Sequence, residues 1–436
     1  MKDYLKKIIK NKVAKNTIWI ISERIIQMII SLIVGSLSAR YLGPSNYGLI
    51  NYGASIVALF TAVTKLGLDG VIVKEYVNRK NENGTIIGTA IIMRTISSIV
   101  SMFLIYVTVL VLKPNNTLVH LLTLLQSISL LFQSYEIFDL WFQSNLNSKY
   151  TSIAKSLAYI IVSVYKIFLL IASKSVIWFA FSTTLDFALI FIILLIMYKK
   201  NNGQKLSFSK NIAKLLFKQS YQFILSGLMV TLYMQMDKIM IGNMIDDLNV
   251  GLYSAATTIC TLWAFIPEAI INSFRPVIYE LKNKSEELYL KRLKLLYSII
   301  FWLGILFCTF IVVFSKYIIL ILYGKNYLNA QTTLVIAVWY TSFAYVGVAR
   351  NIWIVSENKN KYAKRFTIIG AIVNLVLNLI FIPKYGINGA AIATLFSQIS
   401  VVIIAPLLYK DTRISTKYIV ESILLVNIRN NKSRRK

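Results

Sequence analysis

Histidine occurs once in 436 residues, cysteine twice, and aspartate plus glutamate total 18 against 47 lysines and arginines. Cys260 and Cys308 both lie inside apolar runs, which argues against a disulfide framework. His120 stands alone near an expected helix start, and no Cys/His pair has zinc-ligand spacing, so neither metal nor cofactor is expected. Charged residues of both signs make up only 15% of the chain, too few for a soluble fold of this size. The formal charge of +29 would point to nucleic acid in a soluble protein. Here the basic residues sit between apolar runs, with no basic-aromatic module, so membrane orientation explains them and no nucleic-acid partner is expected.

What remains is apolar. The chain is 57% hydrophobic with a mean hydropathy of +0.64, and segments of the roughly 20 apolar residues that cross a bilayer fill almost all of it. The expected fold is an all-α polytopic membrane protein with twelve transmembrane helices: 16–38, 47–68, 85–111, 117–142, 150–172, 176–198, 219–241, 249–273, 295–314, 328–356, 366–382 and 387–409. The run Tyr317 to Leu322 is too short to span and extends the ninth helix. The lysine-rich start lacks a small-residue cleavage site, so it reads as a retained first helix rather than a signal peptide.

Alternating these spans from a cytoplasmic N-terminus puts 34 of the 47 basic residues on the inside and 6 in outside turns. That asymmetry supports both termini inside and an even number of crossings. The domains follow: a six-helix bundle at 1–198, a basic cytoplasmic linker at 199–218, a second six-helix bundle at 219–409, and a basic cytoplasmic tail at 410–436. Segments 1 and 7 both start inside, the parallel kind of repeat. A helix over Ile414 to Ile428 would lie on the inner surface, drawn to anionic lipid.

The turn Arg40-Tyr41-Leu42-Gly43-Pro44-Ser45-Asn46-Tyr47-Gly48 joins the first two runs, and Asn249-Val250-Gly251-Leu252 repeats its Asn46-Tyr47-Gly48-Leu49 203 residues later. Gly43 and Pro44 stop one helix and open the next. Charges inside the runs carry the functional signal, because an ionised side chain at membrane depth needs a partner or a wet cavity. There are seven cations (Arg24, Lys65, Arg94, Lys155, Lys166, Lys238, Arg350) and six carboxylates (Glu23, Glu136, Asp139, Asp186, Asp237, Glu268). Lys65, Lys155, Asp139 and Glu268 lie near the inner boundary and are expected to snorkel. Arg24, Arg94 and Lys166 are deeper and outnumber the deep carboxylates; internal pairs such as Arg24 with Asp186 would only fix packing, but a cationic surplus asks for an anion. Arginine suits phosphate in particular. In the second half, Asp237 and Lys238 are adjacent and cannot share a helix face, so which turns inward stays open. Asp246 and Asp247 read as turn caps.

Asn16 through Glu23, Ala39-Arg40-Tyr41-Leu42-Gly43-Pro44 with Tyr47-Gly48, Leu66-Gly67-Leu68-Asp69, Asp237-Lys238-Ile239-Met240-Ile241-Gly242 with Gly251-Leu252-Tyr253, Tyr323-Gly324 with Tyr327, and Asn374 through Pro383 leading into Gly386-Ile387-Asn388-Gly389-Ala390-Ala391 resemble, in order and spacing, the multidrug/oligosaccharidyl-lipid/polysaccharide exporter (MOP) superfamily, and within it the Wzx-type polysaccharide flippases. The resemblance implies a transporter, not an enzyme: a MATE-like pair of bundles around a cationic cavity. It would carry undecaprenyl-diphosphate-linked oligosaccharide from the inner to the outer leaflet of a bacterial plasma membrane by alternating access. Such carriers serve O-antigen, lipopolysaccharide or capsule synthesis beside a polysaccharide polymerase and chain-length partners. On this reading Arg24, Arg94, Lys166, Lys238 and Arg350 meet the diphosphate or acidic sugars, Asp186 or Glu136 couples an ion or proton, and Gly43, Pro44 and Gly242 form gating turns. The rivals are a MATE-type drug/cation antiporter, which wants an acidic or apolar cavity, and a membrane polysaccharide polymerase, which wants catalytic groups on a sizeable outer loop.

Overall fold

The computed structural model describes Lys12 to Leu424, and among these residues it is predominantly helical with no strand. The helices are α1 (Lys12–Lys65), α2 (Asp69–Asn78), α3 (Asn83–Leu112), α4 (Thr117–Ser127), α5 (Ser129–Phe132), α6 (Glu136–Ser144), α7 (Ser148–Ile171), α8 (Val176–Lys200) and α9 (Lys210–Met244). They continue as α10 (Asp247–Thr261), α11 (Phe265–Lys282), α12 (Glu286–Leu322), α13 (Ala330–Ser356), α14 (Asn360–Ile399), α15 (Ala405–Leu407) and α16 (Arg413–Ile423). Among the described residues nine helices are long and apolar enough to cross a membrane, or ten with α10 and α11 as one span bent by 40°. Two of the nine are far longer than one crossing: Trp19–Asn78 has 60 residues and Asn360–Leu407 has 48, against the roughly 20 that a bilayer takes. Each contains a break where two crossings can fold back.

Those breaks are glycines. Gly43 has φ 70 and ψ 169 ahead of Pro44, and Gly386 has φ 60 and ψ −138 three residues after Pro383. Both sit in the positive-φ region that a side chain resists, so the chain turns there at little cost. The third expected turn is corrected: Gly242 is buried inside α9, which runs on to Met244. The reversal falls at Ile245 and Asp246, where the Asp246 carboxylate caps α10 by accepting from the Asn249 amide at 2.7 Å.

Helices here are inside-out amphipathic. On α3 the apolar residues Ile96, Ile99, Val100 and Phe103 are exposed, while Arg94, Ser98 and Ser101 on the opposite face are buried. A helix in water shows the reverse; this one suits lipid outside and polar contacts within.

Close packing divides the chain into two units, one ending at Gln235 and the other beginning at Met236, so the boundary lies within α9. The first unit has an aromatic core around Phe138, Phe142 and Tyr198, and the second around Tyr289, Tyr297, Trp353 and Phe366. In the first unit, residues 204–209 form an extended strap on α3. Gly84 and Gly88 leave the room, since a Cβ at either would meet the strap's backbone at 2.4 Å. The Gly84 amide donates to Gln204 Oε1 at 2.8 Å, and the Ser209 amide donates to Thr89 Oγ1 at 3.0 Å. The surface helix expected over Ile414 to Ile428 is described as α16, which ends at Ile423; positions from 425 lie outside the described residues. It buries Ser415, Thr416 and Ile419 and is tied down by Lys294 Nζ on Glu421 at 2.5 Å, so its inner face packs on protein.

Candidate functional site

Arg94, Ser98 and Ser101 share one face of α3 because they stand four and three apart. Ser98 donates to Leu130 O at 2.9 Å, and Thr64 donates to Ser101 at 3.2 Å, so this face is bound to α1 and α5. The Arg94 side chain is 1% exposed and pairs with Asp69 at the head of α2 and with Glu136 Oε2 at 3.3 Å. Glu136 also takes Lys65 Nζ at 2.8 Å. The fourth span is broken here: α5 gives way to a 3-10 turn at Gln133–Tyr135, which delivers Glu136 to the two cations. Two cations thus face two carboxylates, and Arg94 is neutralised rather than open. Asp69 was missed as its partner because it stands at a turn, outside the apolar runs.

One turn further along, Lys155 Nζ meets Asp139 Oδ2 at 2.5 Å, and Asp139 also accepts from Gln143 at 2.8 Å. The expected snorkelling of Lys65, Lys155 and Asp139 gives way to pairing, because each meets an opposite charge on a neighbouring helix.

Arg24 is exposed on α1, beside a buried Glu23 that accepts from Gln27 at 3.4 Å. Lys166 on α7 is half-buried, and the opposing charge acting on it is Asp186 on α8; Asp186 in turn answers Lys166, not Arg24. The two do not close into an ion pair, and Asp186 Oδ1 is buried without a hydrogen-bond partner among the described residues. Lys166 and Asp186 thus carry opposite charges on the packed helices α7 and α8 without forming an ion pair.

In the second unit the adjacent pair is resolved. Asp237 is buried and accepts from Tyr253 Oη and Thr394 Oγ1, each at 2.5 Å, and from Asn378 Nδ2 at 2.7 Å. Asn374 closes the cluster, accepting from Asn378 at 3.1 Å and donating to Thr394 at 3.2 Å. Lys238, its neighbour, is half-buried. Two asparagines one helical turn apart in an apolar run were the signal for this cluster.

Arg350 is 3% exposed and committed to backbone. Its Nη1 donates to Val401 O at 2.7 Å and Val402 O at 3.3 Å, and its guanidinium lies 4.7 Å from the Phe366 ring centre. The π-helical turn at Ser400–Ile404 explains the arrangement, since a widened turn releases carbonyls that the arginine then satisfies. Among the described residues no three of His, Cys, Asp and Glu gather as metal ligands.

The structure therefore leaves Lys166 and Lys238 outside ion-pair networks of the Arg94 kind among the described residues, places Arg24 on an exposed face of α1, and holds Arg94 and Arg350 in place. Against known proteins, the polysaccharide biosynthesis protein family matches residues 13–282, well over half of the chain. The chain belongs to that family. Its relatives include the probable low-salt glycan biosynthesis flippase Agl15 of Haloferax volcanii, 28% identical over 42% of this chain. That match takes in 39% of the relative's own length. The capsular polysaccharide biosynthesis protein CapF of Staphylococcus aureus is 22% identical over 81% of this chain and 88% of its own. Among solved structures, the inward closed lipid II flippase MurJ matches 94% of this chain and 90% of its own at 17% identity, with a TM-score of 0.75. A MOP superfamily transporter from Pyrococcus furiosus matches 97% of both chains at 12% identity, with a TM-score of 0.64. These likenesses establish the MOP fold, and with the apolar helices make the family member a multi-pass membrane protein.

Proposed function

We propose that this family member is a flippase for lipid-linked oligosaccharide, moving undecaprenyl-diphosphate-linked repeat units from the inner to the outer leaflet of a bacterial plasma membrane by alternating access. Twelve crossings in two parallel six-helix bundles, 1–198 and 219–409, with both termini cytoplasmic, fit the breaks at Gly43 and Gly386 and the basic inside segments. The reading is carried by family membership joined to one feature of the first unit: Lys166 stands opposite Asp186 without closing a pair. Lys166, with the exposed Arg24, would take the diphosphate, and a cation is the right complement because phosphate oxygens accept charge-assisted hydrogen bonds. Lys238, a further half-buried cation, is proposed as a contact for the same class of anionic cargo. Arg94 and Arg350 then act by holding helices, and Asp186 or Glu136 would carry the coupled ion or proton. Glu136 is the poorer carrier of the two, because Lys65 and Arg94 already claim it.

The product would feed O-antigen, capsule or a related surface polysaccharide, with a polymerase and chain-length partners next in line. A drug/cation antiporter shares the fold, but its cargo is a cation and would be repelled by Lys166 and Arg24. Expression in a host lacking its own flippase for a lipid-linked oligosaccharide tests the proposal. Surface glycan should return with the native chain and fall with R24Q or K166Q. Normal membrane levels with no surface glycan would contradict it.

A further inference from the structure

The guanidinium of Arg350 is satisfied on one edge only. Nη1 donates to the Val401 and Val402 carbonyls, whereas Nε is buried with no hydrogen-bond partner among the described residues. No carboxylate pairs with Arg350 among those residues; the titratable side chain that its charge acts on is Tyr297 of α12. Tyr297 is fully buried, and its hydroxyl also has no partner among the described residues. A phenol oxygen can accept from an Nε–H. These two do not bond, so each remains a donor without an acceptor. Their surroundings are hydrocarbon and closely packed. The Phe366 ring centre lies 4.7 Å from the guanidinium, a Cβ on Gly347 would meet Val402 Cγ2 at 3.1 Å, and Ile300, Val346 and Ala349 are buried in the same core. Folded proteins leave few buried polar groups unsatisfied, and an ordered water or ion is a regular partner for those that look orphaned. Water would satisfy the two donors but leave a positive charge uncompensated inside a membrane protein, which is costly. An anion satisfies the donors and the charge together.

We propose that Arg350 Nε and Tyr297 Oη hold a monovalent halide, chloride in the cell, as the internal counter-ion of the second unit. The ion has to be small, because packed side chains of α12, α13 and α14 and the turn at Ser400–Ile404 enclose the two donors. A carboxylate or a phosphate ester fits less well, since it brings more acceptor oxygens than two donors satisfy. The halide ties α12 to α13, while Nη1 of the same arginine ties α13 to the widened turn. The site is built from the second unit alone. It does not rest on the transport reading, whose cargo cations Arg24 and Lys166 belong to the first unit.

Binding of radioactive chloride to the purified full chain in detergent, read by scintillation proximity, tests the proposal. Native protein should bind one chloride saturably; bromide should displace it, and gluconate, too large for an enclosed site, should not. Y297F should weaken binding at least about tenfold, the effect of losing one hydrogen bond to a charged group. That substitution removes a hydroxyl with no protein partner among the described residues, so the fold is kept, and a native melting temperature in gluconate checks this. At equal ionic strength the native chain should melt higher in chloride than in gluconate, because a ligand of the folded state stabilises it, and Y297F should lose most of that difference. R24Q/K166Q should bind chloride as the native chain does. Independently of any variant, the anomalous signal of bromide in crystals of the native protein should fall between Arg350 and Tyr297. Absence of saturable chloride binding, the result expected of a bridging water, would overturn the proposal. So would equal affinity in a folded Y297F, a bromide signal elsewhere, or loss of binding in R24Q/K166Q, which would put the ion among the cargo cations.

Discussion

Replacing Arg94 with glutamine separates a structural arginine from one that touches cargo. The guanidinium has 1% exposure and two carboxylate partners, Asp69 and Glu136. Removing one member of a buried ion pair costs about 3–5 kcal/mol, because the partner is left charged without an answer. Two features pull the loss to the lower end of that range. Glu136 keeps Lys65 at 2.8 Å, and Asp69 retains 48% of its side-chain exposure, so water can take up part of the charge. The expected loss is therefore about 3 kcal/mol, at the bottom of the range for a buried pair. Unfolding of the purified protein in mixed micelles, followed by tryptophan fluorescence, measures it, with membrane levels as the cellular counterpart. A double substitution R94Q/E136Q should lose less than the sum of the single ones, since contacting charges couple by about 0.5–3 kcal/mol. An R94Q protein as stable as the native chain that nevertheless fails to export glycan would refute this reasoning and return Arg94 to the cargo site.

Gly88→Ala places a Cβ 2.4 Å from Ser207 O, where backbone must shift, and should destabilise the strap by about 1–3 kcal/mol; hydrogen exchange over residues 204–209 should quicken, and native-like protection would contradict the packing. R350M leaves the Val401 and Val402 carbonyls unanswered, at about 1–3 kcal/mol for buried polar groups, and R350K should recover only part of that in thermal melts because ammonium cannot both stack on Phe366 and reach the turn. Asp411 lies beyond the last span, and the Tyr362 hydroxyl, then Lys359 and Lys361, hold its carboxyl below the ordinary aspartate range. A depressed carboxyl stabilises above its unfolded value of about 3.9 and loses that contribution as pH falls through the lower folded value. Docking of α16 should therefore loosen in acid, and Y362F should remove part of that pH dependence in hydrogen exchange of residues 413–423.

The membrane class and the helical fold were legible because hydropathy and the basic asymmetry are summed over hundreds of residues. The kink at Gly43 was legible too, since glycine followed by proline has few other uses in an apolar run. Gly242 was misread because a glycine inside a helix and one ending it look alike without the cap, and the cap, Asp246, lies four residues on. Charge pairing was the least visible. Spacing places Arg94 on a polar face, but only the turn at Gln133–Tyr135 brings Glu136 to it, and only the end of α1 brings Asp69. The Asp237 cluster likewise draws on α9, α10 and α14, and its asparagines carry no charge to draw attention. Arg350 looked like a cargo contact because nothing local announces a π turn fifty residues later.

Purified protein in liposomes settles the central claim. A fluorescent undecaprenyl-diphosphate oligosaccharide would be placed in both leaflets and attacked from outside by a membrane-impermeant reagent. The account predicts that native protein exposes the inner pool, that R24Q/K166Q slows this strongly, and that K199Q/K200Q does not. An inner pool as protected as in protein-free vesicles, or a charge-removed protein that flips at the native rate, would contradict it.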